Sequence, residues 1–216
     1  MYPFETRLRR HFMAASTRFI AIVGCARTGT TALMNALGRV SDYGCLAEDN
    51  PFLSAQHYGE RFRNINRGRA LRGTFYELGT LNPRYWFDAY AYRAFAHKYF
   101  GTKVALGPFG NDYWEQVDHD LVSFFVDYFP HGSYLLPTRQ PVACIASMHR
   151  IFPGTDFGDL FNTYIKSFRI QLSLLARLQK CVVVNVDVLT TSSLTAILGR
   201  CLNTITRELD KATPLL

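Results

Sequence analysis

Two arginine-bearing segments of this 216-residue chain combine residue types suited to holding a phosphate-like anion. The first, Gly24-Cys25-Ala26-Arg27-Thr28-Gly29-Thr30-Thr31, follows the apolar run Phe19 to Val23 and precedes a helical pattern through Leu33, Met34 and Leu37. A strand feeding a tight loop that opens a helix turns backbone N–H groups and the positive end of the helix dipole toward one point. The segment fits G-x-x-x-x-G, but Thr30 stands where a nucleoside triphosphatase carries lysine. The β/γ-phosphate contact of an ordinary ATPase or GTPase is therefore missing, and Arg27 supplies the loop's cation. The plain alternative is a turn that closes tightly and binds nothing.

The second segment, Thr138-Arg139-Gln140-Pro141, follows a strand-like run from Ser133 to Pro137 and leads into a helical run through Ser147, His149 and Arg150. Pro141 suits the first turn of a helix, where its missing N–H costs nothing. Arg139 at the strand end and Ser147 two helical turns later can reach one phosphate between them. An ordinary helix start beside a solvated arginine fits the same residues.

These segments need strands that end together and helices that start together. Strands are expected at Phe19 to Val23, Tyr43 to Leu46, Lys103 to Leu106, Ser133 to Pro137 and Cys181 to Val186, with Gly24 to Gly29 as the tight loop after the first. Trp114, Val117, Leu121, Phe125 and Tyr128 recur at helical spacing, as do Phe161, Ile165, Phe168, Leu172 and Leu175. Residues 52–100, rich in Phe, Tyr and Arg, read as helical, and Asn50-Pro51 marks a turn. The alternation predicts an α/β fold, a parallel β-sheet flanked by helices on both faces and of P-loop nucleotide-binding type, whose ligand lies at the carboxyl ends of the strands. One domain is expected over 1–216, with an arm at 1–18, the α/β core at 19–200 and a tail or helix at 201–216.

An apolar share of 48% with 14% aromatic residues excludes a disordered chain. A net charge of +7 favours an anionic partner without choosing among nucleotide, phosphorylated metabolite, acidic glycan, nucleic acid and membrane surface. Five scattered cysteines, none in a C-x-x-C pair, suit a reducing compartment and argue against a zinc site. No uncharged run approaches the roughly 18 residues that span a bilayer. A cytoplasmic protein is the expectation, with an organellar address left open by the Arg-rich start. No helix-turn-helix, RNA-recognition or zinc-finger signature supports a nucleic-acid partner.

Taken together, the two segments resemble the phosphosulfate-dependent sulfotransferases. That family binds the 5′-phosphosulfate of 3′-phosphoadenosine 5′-phosphosulfate (PAPS) with a basic-Ser/Thr-Gly-Thr-Thr loop, matched by Arg27-Thr28-Gly29-Thr30-Thr31. It binds the 3′-phosphate with a strand followed by Arg-x-Pro-x5-Ser, matched by Arg139, Pro141 and Ser147. Phe129-Pro130 and Val186-Asp187-Val188-Leu189 look like the family's flanking signatures, so the similarity covers most of residues 19–200. The Pro-Lys-Ser-Gly-Thr-Thr-Trp and Gly-x-x-Gly-x-Trp-Lys segments of the steroid and phenol branch are absent, and the chain looks closer to bacterial-type or glycan-modifying relatives.

The resemblance implies sulfuryl transfer from PAPS to an acceptor hydroxyl, with adenosine 3′,5′-bisphosphate as product and no metal required. Arg27, Thr28, Gly29, Thr30 and Thr31 would hold the 5′-phosphate and sulfuryl oxygens, and Arg139 and Ser147 the 3′-phosphate. Glu48 matches the place of the family's catalytic base, although a helix cap or a solvated carboxylate fits it too, and His57 is the other candidate. Lys103, expected at a strand start, matches a lysine that contacts sulfate or acceptor and equally suits a solvated edge. Arg61, Arg63, Arg67, Arg69 and Arg72 form either an acceptor surface or a solvated face. A divergent P-loop kinase and a non-catalytic nucleotide-binding protein are the competing readings.

Overall fold

Phe19–Cys25 forms β1, and every one of its residues is buried. A strand with no polar face can only sit inside a sheet covered on both sides. The computed structural model describes residues 12–47, 94–108 and 121–202. Four further strands accompany β1: β2 (Tyr43–Ala47), β3 (Tyr99–Leu106), β4 (Ser133–Thr138) and β5 (Cys181–Asn185). They pair in parallel in the order β2-β3-β1-β4-β5, so all carboxyl ends lie along one edge.

Helices close both faces. On one side Ile20 and Ile22 of β1 meet Leu33 and Leu37 of α1 (Thr30–Val40) and Leu194 and Leu198 of α4 (Thr191–Cys201). On the other, Phe19, Ala21 and Val23 meet Phe12, Phe125 and Phe129, together with Ile170 and Leu174 of α3 (Phe157–Arg177). Phe19 stacks on Phe129 at 3.8 Å between centroids, with Phe100 edge-on at 5.5 Å, a ring cluster worth about 1 kcal/mol per pair beyond its area. α2 (Pro141–Ile151) packs on the start of α3 through Cys144, Met148 and Leu160.

The expected α/β architecture is present, with several boundaries moved. β1 runs on through Gly24 and Cys25, which the sequence assigned to the loop. β3 begins at Tyr99, so Tyr99 and Phe100, expected to be helical, are strand, while residues 52–93 lie outside the described set. Val186 leaves β5 for a 3-10 turn at Val186–Val188. Leu121 and Phe125 face the core from the helix over 121–128; Trp114 and Val117 lie outside the described residues.

The α3 helix forms where its spacing predicts, but the stripe that announced it points outward. Phe161, Phe168, Leu172 and Leu175 are exposed, whereas Leu160, Thr163, Ser167, Ile170, Gln171 and Leu174 face the protein. No helix among the described residues is long and apolar enough to cross a membrane.

Gly101 allows the closest approach between strands, since a Cβ there would lie 1.8 Å from the Ile20 carbonyl oxygen. Gly101→Val should destabilise the fold by about 3 kcal/mol as β1 and β3 are forced apart. Urea denaturation measures it, and a midpoint equal to wild type would contradict the packing.

Candidate functional site

The β1 and β4 ladder stops early. Pairing covers Ile20 to Ile22 against Ser133 to Leu135, while β4 stays paired with β5 through Thr138 and β1 with β3 through Cys25. Continuing it would bring the ladder to Pro137, which has no N–H to donate. Gln171 replaces the missing donor: its Nε2 donates to Val23 O at 2.9 Å and to Pro137 O at 3.0 Å. Gly24 fits alongside because it lacks a Cβ, which would meet Pro137 Cγ and Thr28 Oγ1 at 2.8 Å each. The chain leaves β1 toward β2 on one side and leaves β4 toward β5 on the other. The interrupted ladder thus coincides with the switch point, where ligands of such sheets bind.

The loop from β1 is held from several directions. Ala26 N–H donates to Leu106 O, and Cys25 O accepts from both the N–H and the hydroxyl of Thr28. The Thr28 side chain is therefore engaged in closing the turn. Arg27 has φ of 71° and Gly29 of 83°, two left-handed residues that reverse the chain twice before α1 begins. For Arg27 that conformation costs roughly 1–2 kcal/mol.

Two helix starts converge here, and neither is satisfied by its own side chain. α1 has Gly29 as its N-cap and α2 has Gln140, with no side-chain cap bond and no acid in the first turn of either. α3 and α4, by contrast, are capped by Asp156 and Thr190. Helix-start N–H groups and dipoles of this kind favour an anion, and at α2 the Gln140 N–H is already taken by Asp187.

Arg27, Arg139 and Ser147 meet across this gap. Arg27 Nε donates to Ser147 Oγ at 3.1 Å, and Arg139 Nη1 donates to Arg27 O at 3.4 Å. Three residues that the sequence did not place in the site hold this arrangement. Asp187, after β5, pairs with Arg139 Nε at 3.5 Å and accepts the Gln140 N–H. Tyr164 donates its hydroxyl to Arg139 O at 2.8 Å, and burial raises its phenol's pKa, which keeps it a donor. Cys144 donates to Ala26 O, fastening the loop to α2. Asp187 stood in a recognisable segment and had a signal; Tyr164 and Gln171 were hidden in a helix whose visible stripe is its outer one.

Lys103 corrects the expectation of a strand start or a solvated edge. It lies within β3, an interior strand, is only 2% exposed, and its Nζ donates to Thr31 Oγ1 at 3.0 Å. Its amine therefore arrives beside the first turn of α1, close to where Thr30 leaves the loop without a lysine. Beneath the loop, Cys25 donates its thiol to Met148 Sδ at 3.7 Å. Its interaction with the Cys144 thiol, then burial, pushes Cys25 well above the usual thiol range. The same interaction, helped by Arg139 and Arg27 against burial, holds Cys144 below it. Glu48, His57 and Arg61 to Arg72 lie outside the described residues.

No family model and no curated protein matches the sequence. Among solved structures, the chain is similar to shikimate kinase from Bacteroides thetaiotaomicron, with 16% identity and a TM-score of 0.46 over 86% of this chain and 96% of that one.

Gln171→Leu removes the amide that satisfies two buried carbonyls and should cost about 2–3 kcal/mol. Urea unfolding of the variant checks this, and an unchanged midpoint would mean that the ladder break needs no bridge.

Proposed function

We propose that residues 1–216 form a single-domain sulfotransferase that moves a sulfuryl group from PAPS to the hydroxyl of a carbohydrate or small metabolite. The observation that carries this reading is the meeting of Arg27, Arg139 and Ser147 at two uncapped helix starts. Two separate anionic groups of one nucleotide call for two cationic positions, one in each segment, and the crevice offers both. None of the five cysteines is in a disulfide, and we assign the protein a cytoplasmic location.

In this reading the loop amides, Arg27, Thr30 and Thr31 hold the 5′-phosphate and sulfuryl oxygens, and Arg139 with Ser147 holds the 3′-phosphate. The acceptor oxygen attacks sulfur in line, the bond from sulfur to the bridging phosphate oxygen breaks, and adenosine 3′,5′-bisphosphate leaves. The acceptor's proton passes to Glu48, which directly follows β2 in the chain. Lys103 and the helix dipole of α1 stabilise charge on the transferring oxygens and the leaving phosphate, fixed beforehand by the fold. No step calls for a metal. Arg27 exchanges its bond to Ser147 for the nucleotide, and the serine O–H, which only accepts in that bond, donates to the 3′-phosphate.

A P-loop kinase reading draws on one observation: Lys103 restores an amine beside α1 that the loop itself lacks. Calorimetric titration of metal-free protein decides between the two. Adenosine 3′,5′-bisphosphate should bind more tightly than ATP with Mg²⁺, and Arg139→Ala should weaken it about 10- to 100-fold. A preference for ATP with Mg²⁺, indifferent to Arg139, would overturn the sulfotransferase and install the kinase.

Glu48→Ala should lower kcat by about 10²- to 10⁴-fold while the bisphosphate affinity stays within about twofold. Full turnover in that variant would remove Glu48 from the mechanism. A wild-type protein that binds the bisphosphate and transfers sulfuryl to no hydroxyl would be a binding protein instead.

A further inference from the structure

We propose that the outward stripe of α3 is a docking face for an anionic lipid bilayer. Phe157, Phe161, Phe168, Leu172 and Leu175 follow one another at intervals of three, four and seven residues, with half-buried Ile165 bridging the longest gap. They are 37–54% exposed on a helix of 21 residues, about 31 Å long. Three phenylalanines and two leucines in line expose roughly 450 Å² of apolar surface, the size of the largest patch on a typical soluble chain, which is often functional.

Charge selects the occupant. Next to the stripe on the solvent side stands Arg169, while the helix's acid, Asp159, is confined to its first turn. The chain as a whole carries +7. Apolar insertion and electrostatic attraction to anionic headgroups are the two contributions that together hold an amphipathic helix at a membrane surface. A second copy of this chain fits less well. Roughly 450 Å² is about half of what a stable dimer asks of each partner. A two-fold axis between Ile165 and Phe168 would bring the Arg169 side chains of two strongly basic molecules within about a turn of each other.

The stripe shares its helix with Tyr164 and Gln171, which reach the crevice from another face. Docking would hold that crevice about one helix width from the lipid surface, roughly 10 Å. An acceptor presented at a membrane would then be within reach without any part of the chain crossing it.

The test is cosedimentation of the full chain, without nucleotide, on vesicles of phosphatidylcholine with about 30 mol% phosphatidylserine, against phosphatidylcholine alone. The expected result is partition at least about tenfold stronger on the anionic vesicles, falling as salt rises from about 0.1 to 0.5 M. Phe161→Ser/Phe168→Ser should lower it a further tenfold or so, with thermal midpoint and bisphosphate binding unchanged. Phe161→Trp provides a second readout, because its difference emission shifts to the blue if the ring enters the lipid. Absence of wild-type binding, equal binding by the double variant or an unshifted emission would each overturn the proposal. A dimer seen by light scattering and abolished by the double variant would overturn it too, assigning the stripe to a second copy.

Discussion

A proline that cannot donate sets the geometry of the crevice. Pro137 lies in an interior strand, where each residue is expected to contribute to the ladder, and pairing between β1 and β4 ends two residues before it. A sheet left open there would bury unsatisfied carbonyls, each costing on the order of 1–3 kcal/mol. One glutamine on α3 satisfies two of them. The sheet can consequently stop without collapsing, and Gly24 can turn the chain over Pro137 into the loop. Arg27, Thr31 and Arg139 take their places from that turn.

Electrostatic preparation follows from the same arrangement. α1 and α2 both start at the interrupted ladder without side-chain caps, and the cations nearest them come from three different strands: Arg27 after β1, Arg139 after β4 and Lys103 within β3. A buried amine and two guanidinium groups in one crevice would repel one another strongly in the absence of counter-charge. Asp187 answers part of that at Arg139. A multiply charged anion such as the proposed donor would suit these cations.

Much of this was legible in the sequence because it is local. A glycine-bounded loop between an apolar strand and a helix, and an Arg-x-Pro at the next strand end, depend only on neighbouring residues. The less legible parts are those in which distant residues decide. Lys103 read equally as a sulfate or acceptor contact and as a solvated edge residue, because its local sequence gives no hint that another strand will flank it on each side. On α3, the Phe and Leu stripe at helical spacing is the visible signal, yet the buried face mixes Leu160, Ile170 and Leu174 with Thr163, Ser167 and Gln171, and Gln171 serves sheet carbonyls. Hydrophobicity alone does not pick the buried face when the core contains backbone that needs partners.

The central position of β1 has a consequence for how the protein is made. Both of its neighbours, β3 and β4, come from far along the chain, while β2, which follows it in sequence, pairs with β3. Long-range pairings of this kind close slowly, because the loop entropy is lost before the contacts form. During synthesis the loop after β1 emerges before β4 and stays without its scaffold until β4 and the α3 glutamine have been delivered. Any ligand of that loop therefore recognises only the completed fold. At a hundred times its Kd, such a ligand would stabilise the native state by about 2.7 kcal/mol, making occupancy a direct report on folding.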